Sequence, residues 1–211
     1  MPQILKPEIR DRIIDSARTE FLDKGYEDSS MRRIRQTSRM TVGNLYRYFK
    51  NKDELISLVV RPAYNAIDSL VKKLTGGAVT LSGLDSIEKL NREDLGKMMG
   101  GLSDGIVEVY TDHRTELKIL MMSSGVNKAL TDWFTEAILH LINERYGVSS
   151  DSRFAKTIAR GYAVSIFDGL KEILKLSDLN EEQMKLMIRI YLNSYVHMLN
   201  NDVSEYMGEM R

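Results

Sequence analysis

Residues 41–56 read T-V-G-N-L-Y-R-Y-F-K-N-K-D-E-L-I. Two tyrosines, a phenylalanine, an arginine and two lysines precede any acid, and then Asp53 and Glu54 arrive together. Leu45 and Phe49 stand four apart, the spacing of one helix face, which turns both inward. Thr41 is suited to cap a helix that begins at Val42, because its hydroxyl can accept a free amide of the first turn. Asn51 and Glu54 have the N-x-x-E spacing of a capping box. Acids in a first turn favour the positive end of the helix dipole. The switch from base to acid therefore marks the start of another helix.

Upstream, Ile9, Ile13, Ala17 and Phe21 recur at four-residue steps, with Ile14 beside them, and predict one apolar stripe on a helix starting at Pro7. Gly25 is a natural stop. Ser29 and Ser30 precede a short helical segment, M-R-R-I-R-Q, separated from Thr41 by about four residues. A supporting helix followed by two short helices across a tight turn is the pattern of a helix-turn-helix.

The chain has 211 residues and a formal net charge of zero, 30 basic against 30 acidic groups. That balance hides its distribution. Residues 1–55 carry 12 bases and 9 acids, and Ser30 to Lys52 carries seven bases and no acid. A local positive face is enough to attract phosphates. There is no cysteine, which excludes disulfides, thiolate catalysis and cysteine-based metal sites and suits a cytoplasmic setting. No apolar run reaches the ~18 residues of a membrane span, and the N-terminus lacks the apolar centre of a secretion signal.

Downstream, periodicity predicts a long helix over Lys52–Leu74 with Pro62 inside it, where proline removes one backbone bond and tends to kink. Residues 75–91 read as a loop with one turn near 85–90. Further helices are expected at about 92–111, 114–123, 127–146, 152–176 and 181–206, with Asn91 and Asp151 as caps and Gly147 as a break. The expected fold is all-α: an N-terminal three-helix helix-turn-helix unit over 1–52 and a helical domain over 53–211, to which the resemblance of the N-terminal unit to a known family assigns effector binding and dimerisation.

Ile13 to Leu55 resembles the DNA-binding domain of the tetracycline-repressor (TetR) family. The matching residues are Phe21, Gly25, Ser30, Ile34, Thr41, Gly43, Leu45, Tyr46, Tyr48, Phe49, Lys52, Glu54 and Leu55. The resemblance covers about the first quarter of the chain. In a major groove, the first turn of a two-turn helix meets base edges. Val42, Asn44 and Arg32 are the candidates for base contact, with Gly43 as a close-approach position. Asn44 suits an adenine edge, Val42 a thymine methyl and Arg32 a guanine. Ser30, Tyr46, Arg47, Tyr48, Lys50 and Lys52 are candidates for phosphate contact, which fixes register. The chain departs from the family at Arg35, where alanine is usual, and at Ser38-Arg39, where Ala-Gly is usual. Either the turn is rearranged, or Arg39 recovers the cost of a glycine conformation through a phosphate.

The resemblance also implies a homodimer on a palindromic operator, formed through the last two helices. Their apolar positions Phe154, Ile158, Tyr162, Ile166, Phe167, Leu170, Leu174, Met184, Met187, Ile188, Tyr191 and Tyr195 are the candidate interface. Many members release double-stranded DNA when a small molecule enters the C-terminal domain. Met98, Met99, Met121, Met122, Trp133, Phe134 and Tyr162 are candidates for an adaptable apolar pocket, and Gly100, Gly101 and Gly105 weaken the helix beside it. His113, His140 and His197 have no partner at metal-ligand spacing, and no phosphate loop or nucleophile motif is present. No metal, cofactor or enzymatic activity is expected. The reading is a dimeric repressor released by an apolar effector. Its rivals are a regulator without an effector and a helical module or enzyme with a decayed DNA-binding motif.

Overall fold

A computed structural model describes residues 5–81, 90–176 and 178–200. Within them the chain is helical throughout: α1 (Pro7–Asp28), α2 (Met31–Thr37), α3 (Val42–Tyr48), α4 (Lys52–Leu74), α5 (Arg92–Asp112), α6 (Arg114–Met122), α7 (Ser124–Tyr146), α8 (Arg153–Lys175) and α9 (Glu181–Asn200). The turn expected near 85–90 and the stretch of the last helix beyond residue 200 lie outside the described residues.

Local signals place most of these boundaries. Pro7 opens α1, and Gly25 adopts φ 72°, so the helix breaks there and resumes for three residues. Ser30, Thr41 and Asn51 cap α2, α3 and α4 by accepting amides from Arg33, Asn44 and Glu54. The box at α4 is shifted: Glu54 reaches back to the amide of Lys50 at 2.7 Å, not to that of Asn51. Asn91 and Asp94 form a reciprocal capping box on α5. Ser152, not Asp151, caps α8. The Ser152 hydroxyl accepts the Ala155 amide at 3.4 Å, one residue later than the sequence suggests. Gly147 ends α7 in the left-handed conformation.

Two helices join the halves of the molecule. α4 runs unbroken past Pro62, packing on α1 at its start and on α5 and α6 beyond. α6 touches α1 as well as α4, so the N-terminal unit rests on the C-terminal one in two places. The α5 glycines have a packing role. A Cβ at Gly101 would overlap Leu74, and one at Gly105 would overlap Leu70. Small residues there let α4 and α5 approach closely; the sequence suggested only a weakened helix. Gly100 meets nothing, so that argument does not extend to it. In the C-terminal core, Trp133, Phe134 and Phe167 form an edge-to-face chain with centroids 5.2 and 5.1 Å apart.

Candidate nucleic-acid interface

The helix-turn-helix is assembled on a small apolar core. Ile13, Ala17 and Phe21 of α1, Ile34 of α2, and Leu45 and Phe49 at α3 are buried together with Leu55 of α4. Burial of these groups fixes which faces of α2 and α3 remain outside.

The turn between α2 and α3 is an ordinary Schellman closure. The Arg39 amide donates to Gln36 O at 3.1 Å, and the Met40 amide to Arg35 O at 3.0 Å. This motif requires a left-handed residue at the first position beyond the cap. Arg39 supplies it with φ 56°, and among the described residues no other non-glycine has positive φ. The turn is therefore not rearranged. Holding an arginine in that conformation costs about 1 kcal/mol relative to glycine. Arg35, at the usual alanine position, folds over the turn and donates to Met40 O at 3.4 Å. Ser38 is fully buried, its hydroxyl donating to Arg35 O.

A buried carboxylate orients the start of α2. Glu20 accepts the Ser30 amide at 3.2 Å and lies 2.9 Å from Arg33 Nε. Arg33 also donates to Asp28 O at 2.7 Å. Sequence reasoning missed Glu20. The available signal was its place, with Ser16, at the edge of the apolar stripe of α1, where both are buried.

The seven cations of residues 30–52 thus divide by what they already hold. Arg33 and Arg35 are engaged as described. Lys52 Nζ donates to the carbonyls of Tyr26, Glu27 and Ser29 at 2.6, 3.3 and 3.1 Å and sits 4.2 Å from the Tyr26 ring centroid. Its ammonium caps the end of α1, which was not foreseen. Arg32, Arg39 and Lys50 are exposed, with no side-chain partner among the described residues. Arg47 is exposed at the end of α3. Ser30 is half-buried, its hydroxyl taken by the Arg33 amide. Tyr48 is half-buried, its ring against Phe49 and its hydroxyl accepting the Lys6 amide at 3.0 Å. Arg10, which the sequence did not single out, lies over the other side of this cluster, 5.8 Å from the Phe49 centroid.

At the start of α3 the situation reverses. Val42 is 57% exposed and Tyr46 52% exposed. Asn44 is exposed, its side chain without a partner. A Cβ built on Gly43 would meet nothing within 4 Å. The protein itself has no need of glycine there. One helix end thus presents an apolar group, an amide and a bare backbone, flanked by cations and phenols, as groove insertion demands.

In the C-terminal half, the expected pocket residues divide. Met98, Met121, Trp133 and Phe134 are buried, while Met122 and Tyr162 are half-buried; the Met99 side chain lies outside what is described. Only Met121 and Phe134 line the apolar cavity found between α4, α5, α6, α7, α8 and α9, whose volume is about 20 Å³. That is room for roughly one water. Trp133 instead donates its indole N–H to Thr80 O at 3.1 Å. A larger cleft of about 250 Å³ opens at the surface between Ser69 and Lys73 of α4 and Glu108 and Asp112 of α5.

The candidate dimer residues are mostly turned inward. Ile166, Phe167, Leu170, Leu174, Met184 and Ile188 are buried in the chain's own core, and Phe154, Ile158, Tyr162, Tyr191 and Tyr195 pack partly against it. Met187 alone of the twelve is exposed. The helices have a second apolar face that sequence did not separate from the first: Val164 on α8 and Leu186, Met187, Ile190 and Met198 on α9. Gly161, exposed in mid-helix, borders it and would meet nothing with a Cβ. The sides of α8 and α9 facing each other are closed by Tyr191, which fills the space left by Gly169 and donates to Ser165 O at 2.5 Å.

A DNA-binding helix-turn-helix on an all-helical body defines a class of regulatory protein, and similarity to known proteins agrees. Residues 13–59 match the family described as bacterial regulatory proteins, tetR family. The Transposon Tn10 TetC protein of Escherichia coli is 24% identical over 169 residues, covering 79% of this chain and 82% of that protein. A TetR-like transcriptional regulator from Rhodococcus shares the fold with TM-score 0.55 at 14% identity, over 94% of this chain and all of the other. A TetR family transcriptional regulator from Chloroflexus aurantiacus does so with TM-score 0.57 at 15% identity, over 92% and 93%. The N-terminal unit, over residues 13–59, belongs to the tetR family of bacterial regulatory proteins. Among the described residues no helix is long and apolar enough to cross a membrane.

Proposed function

We propose that the protein is a homodimeric transcriptional repressor that occupies a palindromic operator and leaves it when an apolar small molecule enters the C-terminal core. The observation that carries the DNA half is the start of α3, where Val42, Gly43 and Asn44 are exposed and meet no protein partner. Val42 and Asn44 read bases with Arg32, and Gly43 admits the backbone to the groove floor. Tyr46, Arg47 and Lys50 hold the flanking phosphates, while Ser30 presents the first amides of α2. Lys52 and Tyr48 act mainly from behind: Lys52 ties the start of α4 to the end of α1, and Tyr48 holds the N-terminal arm against α3.

One such helix end cannot supply tight specific binding, so two must act together. The exposed apolar face of α8 and α9 supports pairing with a second copy. Gly161 allows the close helix approach that nothing within the chain requires.

The test is selection of bound fragments from random duplex, followed by salt titration. A recovered site with two-fold symmetry, and an affinity that falls steeply with salt, is expected. Recovery of no preferred sequence at low salt would overturn the reading. Release by apolar compounds then tests the effector. A regulator without an effector is favoured by one observation: the apolar cavity lined by Met121 and Phe134 is nearly filled, so a ligand at that place must open the core before it can bind.

A further inference from the structure

We infer that Arg39, in the turn between α2 and α3, is an additional DNA-phosphate contact. The inference rests on the DNA-binding reading and adds to it a residue that the family pattern does not supply, since glycine is usual at this place. Three observations converge. Arg39 holds φ 56° within a fully formed Schellman closure, so the backbone there favours glycine and the fold gains nothing from a side chain. Its side chain is exposed and has no partner among the described residues, so no internal contact offsets the strain. The neighbouring Arg35 is tied inward to Met40 O, which leaves Arg39 as the outward charge of the turn.

Its position selects the ligand. Arg39 lies two residues before Thr41, the cap of α3, and so outside the helix whose first turn meets base edges. Groups beside an inserted helix end face the groove walls, and those walls are rows of phosphates. A guanidinium suits such an oxygen pair in fork geometry. The arginine thereby sacrifices some stability of the free protein for affinity to the duplex.

Arg39→Gly separates the two effects because they have opposite signs. The variant should melt about 2–4 °C higher than the wild type. It should bind the selected operator about tenfold more weakly, and the salt dependence of binding should fall by about 0.9 per half-site. Arg39→Lys should keep most of the salt dependence. A glycine variant that is more stable and binds with unchanged affinity and salt slope overturns the inference. So does one that loses discrimination between sequences with its slope intact, because that assigns Arg39 to bases. If the wild type binds no duplex, the DNA-binding reading itself has failed, and the melting comparison still reports the strain.

Discussion

Arg18 of α1 places its Nε 3.0 Å from Glu116 Oε1 of α6, which ties the DNA-binding unit to the C-terminal body away from the covalent connection through α4. Glu116 is largely shielded and Arg18 about one-third exposed, and Arg18 also bonds Asp15 at 2.6 Å. The Nε hydrogen is poorly aimed, so attraction at this pair is more ionic than hydrogen-bonded. A double-mutant cycle with Arg18→Ala and Glu116→Gln should give a coupling of about 0.5–1 kcal/mol in denaturant unfolding. A coupling of zero would mean that the contact between α1 and α6 is held by packing and not by this ion pair.

Lys52 provides a second expectation. Its ammonium binds three carbonyls at the end of α1, beyond the break at Gly25, and that of Tyr26 also accepts the Ser29 hydroxyl at 2.7 Å. Lys52→Met should cost about 1–2 kcal/mol of stability. Operator affinity should fall with it, but the salt slope should stay near the wild-type value. A slope lower by about one per half-site, with stability unchanged, would return Lys52 to the phosphate contacts.

Gly43 predicts a separation of folding from binding. Since a Cβ there meets nothing, Gly43→Ala should stabilise α3 by about 0.5 kcal/mol. The same methyl should weaken operator binding at least about tenfold if the helix start sits against the groove floor. Gel-shift titration beside thermal melting reads both. Undiminished binding would place the groove contact elsewhere.

The N-terminal unit also carries an alkaline limit. Tyr26 donates to the Asp53 carboxylate, and that bond, then burial and the nearby charge, raise its phenol to about 12. In the unfolded chain the phenol titrates near ~10. Between those values the folded form keeps a proton that the unfolded form has lost, so this contribution is complete below pH ~10 and disappears as pH rises through about 12. Tyr26→Phe should flatten part of the alkaline decline in stability. Other raised tyrosines, Tyr64, Tyr110 and Tyr191, remain in the variant, so the readout is the difference between two pH profiles.

Ile190 tests the assembly. It is 62% exposed at the centre of the apolar face of α9. Ile190→Glu should leave helicity unchanged and shift sedimentation from dimer to monomer. A monomeric wild type would instead require another way of presenting two recognition helices.

The helix-turn-helix was legible because its information is local. Serine, threonine and asparagine caps, four-residue apolar steps and a glycine stop act within one turn of chain, and the observed helices begin at those caps. The roles of Lys52 and Glu20 were not legible, because both depend on partners contributed by other helices and sequence spacing carries no trace of that. The last two helices failed differently. α9 has an exposed apolar face besides the one it buries, with Val164 of α8 exposed as well, and periodicity cannot say which face the chain buries itself. The choice of Ile166, Leu170 and Ile188 as partner surface selected the inner face. The pocket reading met a similar limit: methionines and aromatics mark a core, but whether they leave space depends on how six helices meet.

Trp133 is the sole tryptophan of the chain, and its indole nitrogen binds the carbonyl of Thr80 just beyond the end of α4. With 10 tyrosines available to feed it, this ring acts as an optical gauge at the point where the connecting helix meets the body. Its emission colour and lifetime report that junction without any label, so ligand entry into the core, or seating on DNA, can be followed in real time by intrinsic fluorescence.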